Sequence, residues 1–167
     1  LAVSFAGPIR SAGGTEAAFT LVIADHIRKA LGLDSYRVNG WGEDEVGRFR
    51  EELRVYEREV GNFQFKVSDE DVMYTLSHLP VEVDGVETDP IEVIVHRGLR
   101  RVETDRVRGG ALRVVNDGVI GRSRKLLGLL NALSISGWEW LGNLEGGLQQ
   151  SSEETRMESS HFQDVIS

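Results

Sequence analysis

Two glycine pairs, each with an arginine shortly before it, are the residues of this chain whose types and spacing best suit chemistry. The first pair ends the segment Gly7-Pro8-Ile9-Arg10-Ser11-Ala12-Gly13-Gly14, and the second lies in Arg106-Val107-Arg108-Gly109-Gly110-Ala111. Glycine allows backbone conformations and close approaches that a side chain forbids, and arginine offers a planar donor fork that matches a phosphate. The two turns are therefore predicted to bind an anion, and a nucleic-acid backbone is the expected one.

The residues predicted to contact a phosphate backbone lie in these two turns and in the basic segment that follows the second turn. They are Arg10, Ser11, Gly13, Gly14, Arg108, Gly109, Gly110, Arg113, Arg122 and Arg124. The first turn precedes a predicted helix, whose free N–H groups would add to an anion site. It is neither a P-loop nor a dinucleotide fingerprint, so a tight strand-to-helix turn without any ligand is the alternative interpretation.

Catalytic patterns are weak in this sequence. The four histidines are far apart without ligand spacing, cysteine is absent, and Ser11 has no evident base partner. Glu103, Asp105 and Asp117 are carboxylates that two-metal chemistry would need to converge, but their arginine-rich surroundings favour an anion instead. We therefore expect no catalytic residue, metal or other cofactor in this segment.

The charge of the chain is unevenly distributed. The formal net charge is −8, which argues against a generic nucleic-acid binder. Residues 97–125, however, hold nine basic and three acidic residues, whereas the rest holds 10 basic and 24 acidic ones. A basic segment on an acidic body can orient an anionic partner. The alternative is a solvated face with scattered arginines.

Hydrophobic periodicity predicts an α+β domain with a small mixed sheet and about four helices. The predicted helices are Thr15–Leu31, Glu43–Val60 with a solvated Glu/Arg face, one that Ser68 caps and Pro80 ends, and Val119–Leu133. The predicted strands are residues 1–6, Phe63–Val67, a hairpin around Asp84-Gly85, Ile91–Val95 and Ala111–Val115. Arg97–Gly110 is expected to be looped. Trp138 and Trp140 are predicted to anchor the domain, with stacking on bases as the alternative.

The composition indicates how the chain is divided. Its 167 residues are 40% hydrophobic and 28% charged, which is enough for one domain with a core. We expect an accessory domain at residues 1–141, a flexible Gly-, Ser-, Gln- and Glu-rich linker at 142–160, and the start of a further unit at 161–167. The sequence begins with Leu1 and is interpreted as a piece of a longer polypeptide. The lack of cysteine and of a long apolar run predicts a cytoplasmic protein without membrane contact.

Several motifs, in order along the chain, resemble the N-terminal part of the large subunit of archaeal family D DNA polymerase. They are Ala6-Gly7-Pro8-Ile9-Arg10-Ser11-Ala12-Gly13-Gly14-Thr15, Leu31-Gly32-Leu33-Asp34, Leu79-Pro80-Val81-Glu82-Val83-Asp84-Gly85, Val102-Glu103-Thr104-Asp105-Arg106-Val107-Arg108-Gly109-Gly110-Ala111 and Gly137-Trp138-Glu139-Trp140-Leu141. The resemblance extends with gaps over residues 2–141. His161-Phe162-Gln163-Asp164-Val165-Ile166 is similar to the start of the next block of that subunit.

The resemblance implies a role as well as a family. It implies a replicative DNA-directed DNA polymerase whose small subunit supplies a 3′–5′ exonuclease and which works with a sliding clamp. Magnesium, zinc and the catalytic aspartates belong to other regions of that enzyme, whose core is a double-psi β-barrel. This segment would be a non-catalytic module, with a KH-like fold as one expectation, that contacts the DNA backbone and organises domains. The alternative is an interdomain or subunit scaffold without DNA contact, and a free-standing phosphate enzyme is a third.

Overall fold

Five α-helices lie in the part of the chain that the computed structural model describes, which is residues 1–6, 9, 14–36 and 41–149. They are α1 (Gly14–Ala30), α2 (Glu43–Glu59), α3 (Asp69–His78), α4 (Gly109–Arg113) and α5 (Ser123–Ala132). A π-helix at Val114–Ile120 continues directly from α4, and a 3₁₀ helix follows at Glu139–Asn143. The predictions for Thr15–Leu31 and Glu43–Val60 are confirmed to within a residue at each end.

Four short strands form two separate sheets of two strands each in these residues. β1 (Ala2–Phe5) pairs in parallel with β3 (Glu82–Gly85), and β2 (Phe65–Lys66) pairs antiparallel with β4 (Leu148–Gln149). The α+β class is confirmed. The single mixed sheet is wrong, because the parallel and antiparallel pairings belong to different sheets. The KH-like relationship stays a prediction.

The local signals at helix ends explain why α3 forms where it does. The hydroxyl of Ser68 accepts a hydrogen bond of 3.1 Å from the backbone N–H of Asp71, which confirms the predicted N-cap. Acidic residues fill the first turn of α3, where they complement the helix dipole. The helix ends at His78, before Pro80, whose ring disfavours a helical residue before it.

The segment from Ala111 to Val115 is helical, so the predicted strand there is wrong. Ala111 and Leu112 lie in α4, and Val114 and Val115 begin the π-helix. These side chains are almost fully buried, and a short apolar run buried on every side does not distinguish a strand from a helix by its periodicity. The predicted helix Val119–Leu133 is correspondingly split, because the π-helix ends at Ile120 and α5 begins at Ser123.

The predicted strands differ from the observed ones where pairing between residues far apart in the sequence determines the structure. The hairpin around Asp84-Gly85 is wrong, because residues 82–85 form one strand that pairs with β1 in the register Ala2↔Glu82 to Phe5↔Gly85. The strand Phe63–Val67 is reduced to Phe65–Lys66. Within the predicted strand Ile91–Val95, the described structure has only an isolated antiparallel β-bridge, between Glu92 and Arg106. The loop expected from Arg97 is confirmed up to Arg108.

The core forms where α1 crosses the π-helix, with the C-terminal part of the domain packed beside it. Leu21 of α1 and Val115, Val119 and Ile120 of the π-helix are fully buried. Trp138 is also buried, and its indole N–H donates a hydrogen bond of 3.2 Å to Asp25 of α1. Trp138 and Trp140 are therefore packed in the core, as the anchor interpretation predicts.

The first part of the predicted linker contacts the domain in this structure. Leu144 is buried, and β4 pairs with β2. A Cβ built on Gly147 would lie 2.5 Å from Cβ of Phe65, so the chain passes close over that side chain. Residues 150–160, and the unit expected at 161–167, lie outside the described residues.

Candidate functional site

Arg108, which the sequence analysis assigns to a phosphate, is buried and bound by two carboxylates of the domain itself. Its side chain is 2% exposed. Glu52 accepts from Nε at 3.0 Å and from Nη2 at 2.6 Å, while Asp84 accepts from Nη1 at 2.8 Å. Burial lowers the pKa of Arg108, but the bonds to Glu52 and Asp84 outweigh it and raise the pKa overall. The guanidinium therefore has a structural role in this structure and is shielded from an external anion.

The buried ion cluster extends to α2 and overturns one prediction for that helix. Arg48 and Glu52 were expected on a solvated face, yet both side chains are 0% exposed. Nη2 of Arg48 donates to the carbonyl of Thr104 at 2.7 Å and to Glu52 at 3.5 Å. The cluster thus holds the loop before α4 against α2. A signal was present, because Arg48 and Glu52 neighbour the apolar Phe49 and Tyr56 around the helix.

Close packing against the end of β1 requires a glycine at the second position of this pair, Gly110. Gly109 and Gly110 are both buried. A Cβ built on Gly110 would lie 2.8 Å from the carbonyl oxygen of Ala6, and the N–H of Gly109 donates to the hydroxyl of Thr88 at 3.2 Å. The fold therefore brings the second turn against the residue that precedes the first one. Arg10, Ser11 and Gly13 of the first turn lie outside the described residues.

Three of the predicted site residues meet in a cleft at the N-terminus of α1. This cleft has a volume of about 50 Å³ and is lined by Gly14, Arg113 and Arg122, with Asp117 beside them. Any side chain at residue 14 would collide with Nη1 of Arg122. That nitrogen is buried and has no hydrogen-bond partner among the described residues. The guanidinium of Arg122 therefore lies directly at the positive end of the α1 dipole.

Arg113 is only partly available for a ligand. Its Nη1 donates to Asp117 at 3.1 Å, and its Cζ lies 5.3 Å from the ring centre of Tyr56. Burial lowers the pKa of Arg113, but the hydrogen bonds that Arg113 donates to Tyr56 and Asp117 outweigh burial and raise the pKa. Asp117 also accepts from the backbone N–H of Phe65 at 3.1 Å, so its carboxylate is occupied within the fold.

The basic residues without a carboxylate partner cluster at the start of α5. Of the nine basic residues in 97–125, five form ion pairs within the described part of the chain; they are Arg97, Arg101, Arg106, Arg108 and Arg113. Of the other four, Arg100 lies in the loop before α4, and Arg122, Arg124 and Lys125 lie at the N-cap and in the first turn of α5. Arg124 and Lys125 are exposed. Lys125 was counted in the basic segment but was not predicted as a site residue.

The described residues contain no group of three His, Asp or Glu side chains close enough to hold a metal ion. Glu103, Asp105 and Asp117 in particular do not converge. Among the same residues, no helix is both long and apolar enough to cross a bilayer. The arrangement is thus that of a small α+β domain with an internal ion cluster and a cationic surface around the starts of α1 and α5.

The sequence comparison identifies the family of this domain. A family model described as DNA polymerase II large subunit DP2, N-terminal, matches residues 1–147, so the chain belongs to that family. The large-subunit resemblance seen in the sequence is confirmed.

Its relatives are archaeal proteins named DNA polymerase II large subunit. The chain is 55% identical over 166 residues to the protein of Cenarchaeum symbiosum (strain A), covering 99% of the chain and 15% of that protein. It is 44% identical over 170 residues to the protein of Methanothermobacter thermautotrophicus, again covering 99% and 15%. The protein of Pyrococcus horikoshii is 36% identical over 170 residues, which is 95% of the chain and 12% of that protein. The chain therefore spans about one seventh of the length of such relatives.

Proposed function

We propose that this chain is a non-catalytic N-terminal domain of a replicative DNA-directed DNA polymerase, in which it contributes contacts to the DNA backbone. The family supports the polymerase part of the proposal. The observation that carries the DNA-contact part is the cluster of three cations without carboxylate partners at the start of α5. Such a cluster is typical of a surface that binds an external anion.

The proposed mechanism is backbone recognition without base contacts. Arg124 and Lys125 are exposed and would pair with successive phosphates, and Arg122 would extend the surface towards the cleft at Gly14. Phosphate contacts fix the position of a protein on DNA without reading its sequence. The proposal gives a structural role to Arg108, Gly109 and Gly110, because they hold the loop before α4 against β1 and α2.

Catalysis and its cofactors are assigned to other regions of the polymerase. The described residues contain no group of three metal-ligating side chains, and no step of the proposed mechanism involves the magnesium and zinc that the resemblance implies for the whole enzyme. The 3′–5′ exonuclease subunit and the sliding clamp remain proposed partners of the whole enzyme.

The test is DNA binding by the large subunit, assembled with its small subunit, at several salt concentrations. Arg122→Gln with Arg124→Gln removes two proposed phosphate contacts, and the slope of log K against log salt should fall in magnitude by about 2. The matched control is Arg54→Gln with Arg58→Gln, which removes the same charge from exposed positions of α2. An unchanged slope in the first variant, or an equal change in both, would refute the DNA contact.

A second candidate function is a scaffold for other parts of the enzyme, and one surface favours it. Ile23 and Ile27 of α1 and Leu31, which directly follows the helix, are spaced four residues apart and are 49%, 46% and 64% exposed. Exposed apolar side chains in a row are a feature of interaction surfaces. Ile23→Ser with Ile27→Ser should weaken assembly of the two subunits if the scaffold role holds, while DNA affinity of the assembled fraction stays the same.

A further inference from the structure

A pocket with a volume of about 320 Å³ opens at the first turn of α5. Residues 122–125 form one wall, and residues 145–147 form the wall opposite, with Phe65 and Gly121 between them. Only Arg122 is shared with the cleft at Gly14. Ser123 and Lys125 line this pocket and not the cleft at Gly14, and neither is among the predicted site residues.

Ser123 carries a hydroxyl group that nothing in the described structure satisfies. The residue is 1% exposed, and its Oγ has no hydrogen-bond partner. A buried hydroxyl without a partner is unfavourable, because it has lost its bonds to water and gained none. It lines the pocket, so a ligand entering there would supply the missing partner.

The charges at this end of α5 are the reverse of those that a helix start favours. The first turns of α1, α2 and α3 each carry at least one acidic residue, whereas those of the five-residue α4 and of α5 have none. Its N-cap is Arg122, without a side-chain capping bond, and Arg124 and Lys125 follow within the same turn. Three cations at the positive end of a helix dipole are electrostatically unfavourable. An anion bound among them would offset that repulsion. Glu145 is the one carboxylate that lines the pocket, and it is exposed.

The opposite wall is made of main chain, which allows a compact anion to approach. Gly146 has φ +82°, and a Cβ built on it would lie 3.7 Å from Oγ of Ser123. Gly121 and Gly147 both pack directly on Phe65, where a side chain would collide with it. No bulky side chain of residues 145–147 other than Glu145 therefore enters the pocket.

We propose that this pocket binds a phosphate group. The hydroxyl of Ser123 donates to one phosphate oxygen, the first-turn N–H groups of α5 point at the group, and Arg122, Arg124 and Lys125 neutralise its charge. This inference rests on the proposed function only for the source of the phosphate. The ligand is a phosphodiester of DNA if the proposed DNA contact holds, and a free phosphate otherwise. The chemistry of the pocket is the same for both.

The experiment is hydrogen–deuterium exchange of the large subunit, read by mass spectrometry in peptides that cover residues 121–127 and 144–148. The probes are inorganic phosphate and a primer-template DNA, each compared with chloride at equal ionic strength. At about ten times its dissociation constant, a bound phosphate should slow exchange from these peptides about tenfold. Ser123→Ala should weaken the affinity by about tenfold, because it removes one hydrogen bond to a charged group.

Two controls separate binding from folding. Ser123→Ala should unfold at no lower denaturant concentration than the wild type, since it deletes an unsatisfied buried group. Arg54→Gln with Arg58→Gln should leave the phosphate protection unchanged. If Ser123→Ala binds phosphate as the wild type does, the pocket is not the site and the inference is overturned.

The probes also distinguish the two proposals. Protection by both phosphate and DNA supports the pocket with a phosphodiester as ligand, and protection by phosphate alone supports it with a free phosphate as ligand. Protection by neither overturns the inference, even where the salt slope of the Arg122/Arg124 variant upholds the DNA contact. Conversely, phosphate protection with an unchanged salt slope refutes the DNA contact and leaves the pocket standing.

Discussion

Gly118 of the π-helix lies against the carbonyl oxygen of Gly14, the first residue of α1, and a Cβ built on Gly118 would be 2.5 Å from that oxygen. The contact is between two backbones, so neither side can move away by changing a rotamer. Gly118→Ala should therefore force α1 away from the π-helix and destabilise the domain by about 1–3 kcal/mol or more. Urea unfolding followed by circular dichroism measures the change.

Gly128→Ala is the matched control for that substitution. Gly128 lies inside α5, is exposed, and has no atom within 4 Å of a built Cβ. Because alanine is the better helix former, this variant should be more stable than the wild type by about 0.5–1 kcal/mol. Stability changes of opposite sign in the two Gly→Ala variants would show that the steric constraint lies where α1 crosses the π-helix. A loss of stability in both would contradict that explanation.

The buried cluster of Arg108, Glu52 and Arg48 gives a second prediction about stability. Arg108→Met leaves Glu52 buried with only Arg48, at 3.5 Å, as a cationic partner. Removing one partner of a buried ion pair costs about 3–5 kcal/mol. We expect a loss of that order in the free energy of unfolding, measured by urea denaturation at neutral pH.

Arg106→Met provides the comparison two residues away. Arg106 pairs with Glu87 at 3.4 Å, and its side chain is 45% exposed. An exposed pair contributes only about 0–1 kcal/mol, so this variant should unfold close to the wild type. A loss in Arg108→Met of no more than about 1 kcal/mol, as small as that expected for Arg106→Met, would show that Arg108 is not structural and would return it to the candidate DNA contacts.

The sequence predicted the helices whose signals are local and whose apolar stripe is one-sided. The Ser68 cap, the acids in the first turn of α2 and the 3.6-residue period of α1 each act within a few residues, so α1, α2 and α3 were predicted nearly correctly. The α4 and π-helix region failed for the opposite reason. Most of its side chains are buried, including the polar Asn116 and Asp117, and its apolar residues occur in adjacent pairs, so a short apolar run there does not show a helical period.

Long-range partners explain the other differences. Nothing local distinguishes an Asp84-Gly85 turn from the end of a strand, and the pairing with β1, some 80 residues earlier, decides between them. Arg108 has the same explanation, because a guanidinium beside two glycines suits an external phosphate and also suits Glu52, 56 residues earlier. The basic segment contains the cations of the candidate site, which stays a prediction, and which of its cations are paired within the fold depends on the tertiary structure.

The pH dependence of stability gives a further prediction at Glu82 of β3. Burial raises the pKa of this carboxyl above its ordinary value of 4.5, with repulsion from Asp84 and Glu45 in the same direction and Arg101 opposing. The folded protein therefore holds the proton of Glu82 more tightly than the unfolded chain does. Because the unfolded state binds fewer protons, this residue lowers stability as pH rises from the ordinary pKa through the raised one.

Glu82→Gln removes that dependence, since glutamine stays neutral at every pH. The variant should match the wild type below the ordinary pKa of a glutamate and become progressively more stable than it as pH rises through the raised pKa of Glu82, above which the difference levels off. Urea unfolding of both proteins at a series of pH values between these limits measures the difference. A stability difference between the two proteins that is constant with pH would mean that burial does not perturb the pKa of this carboxyl. A difference that grows towards acidic pH would mean that the charged form of Glu82 is stabilised, with Arg101 outweighing burial.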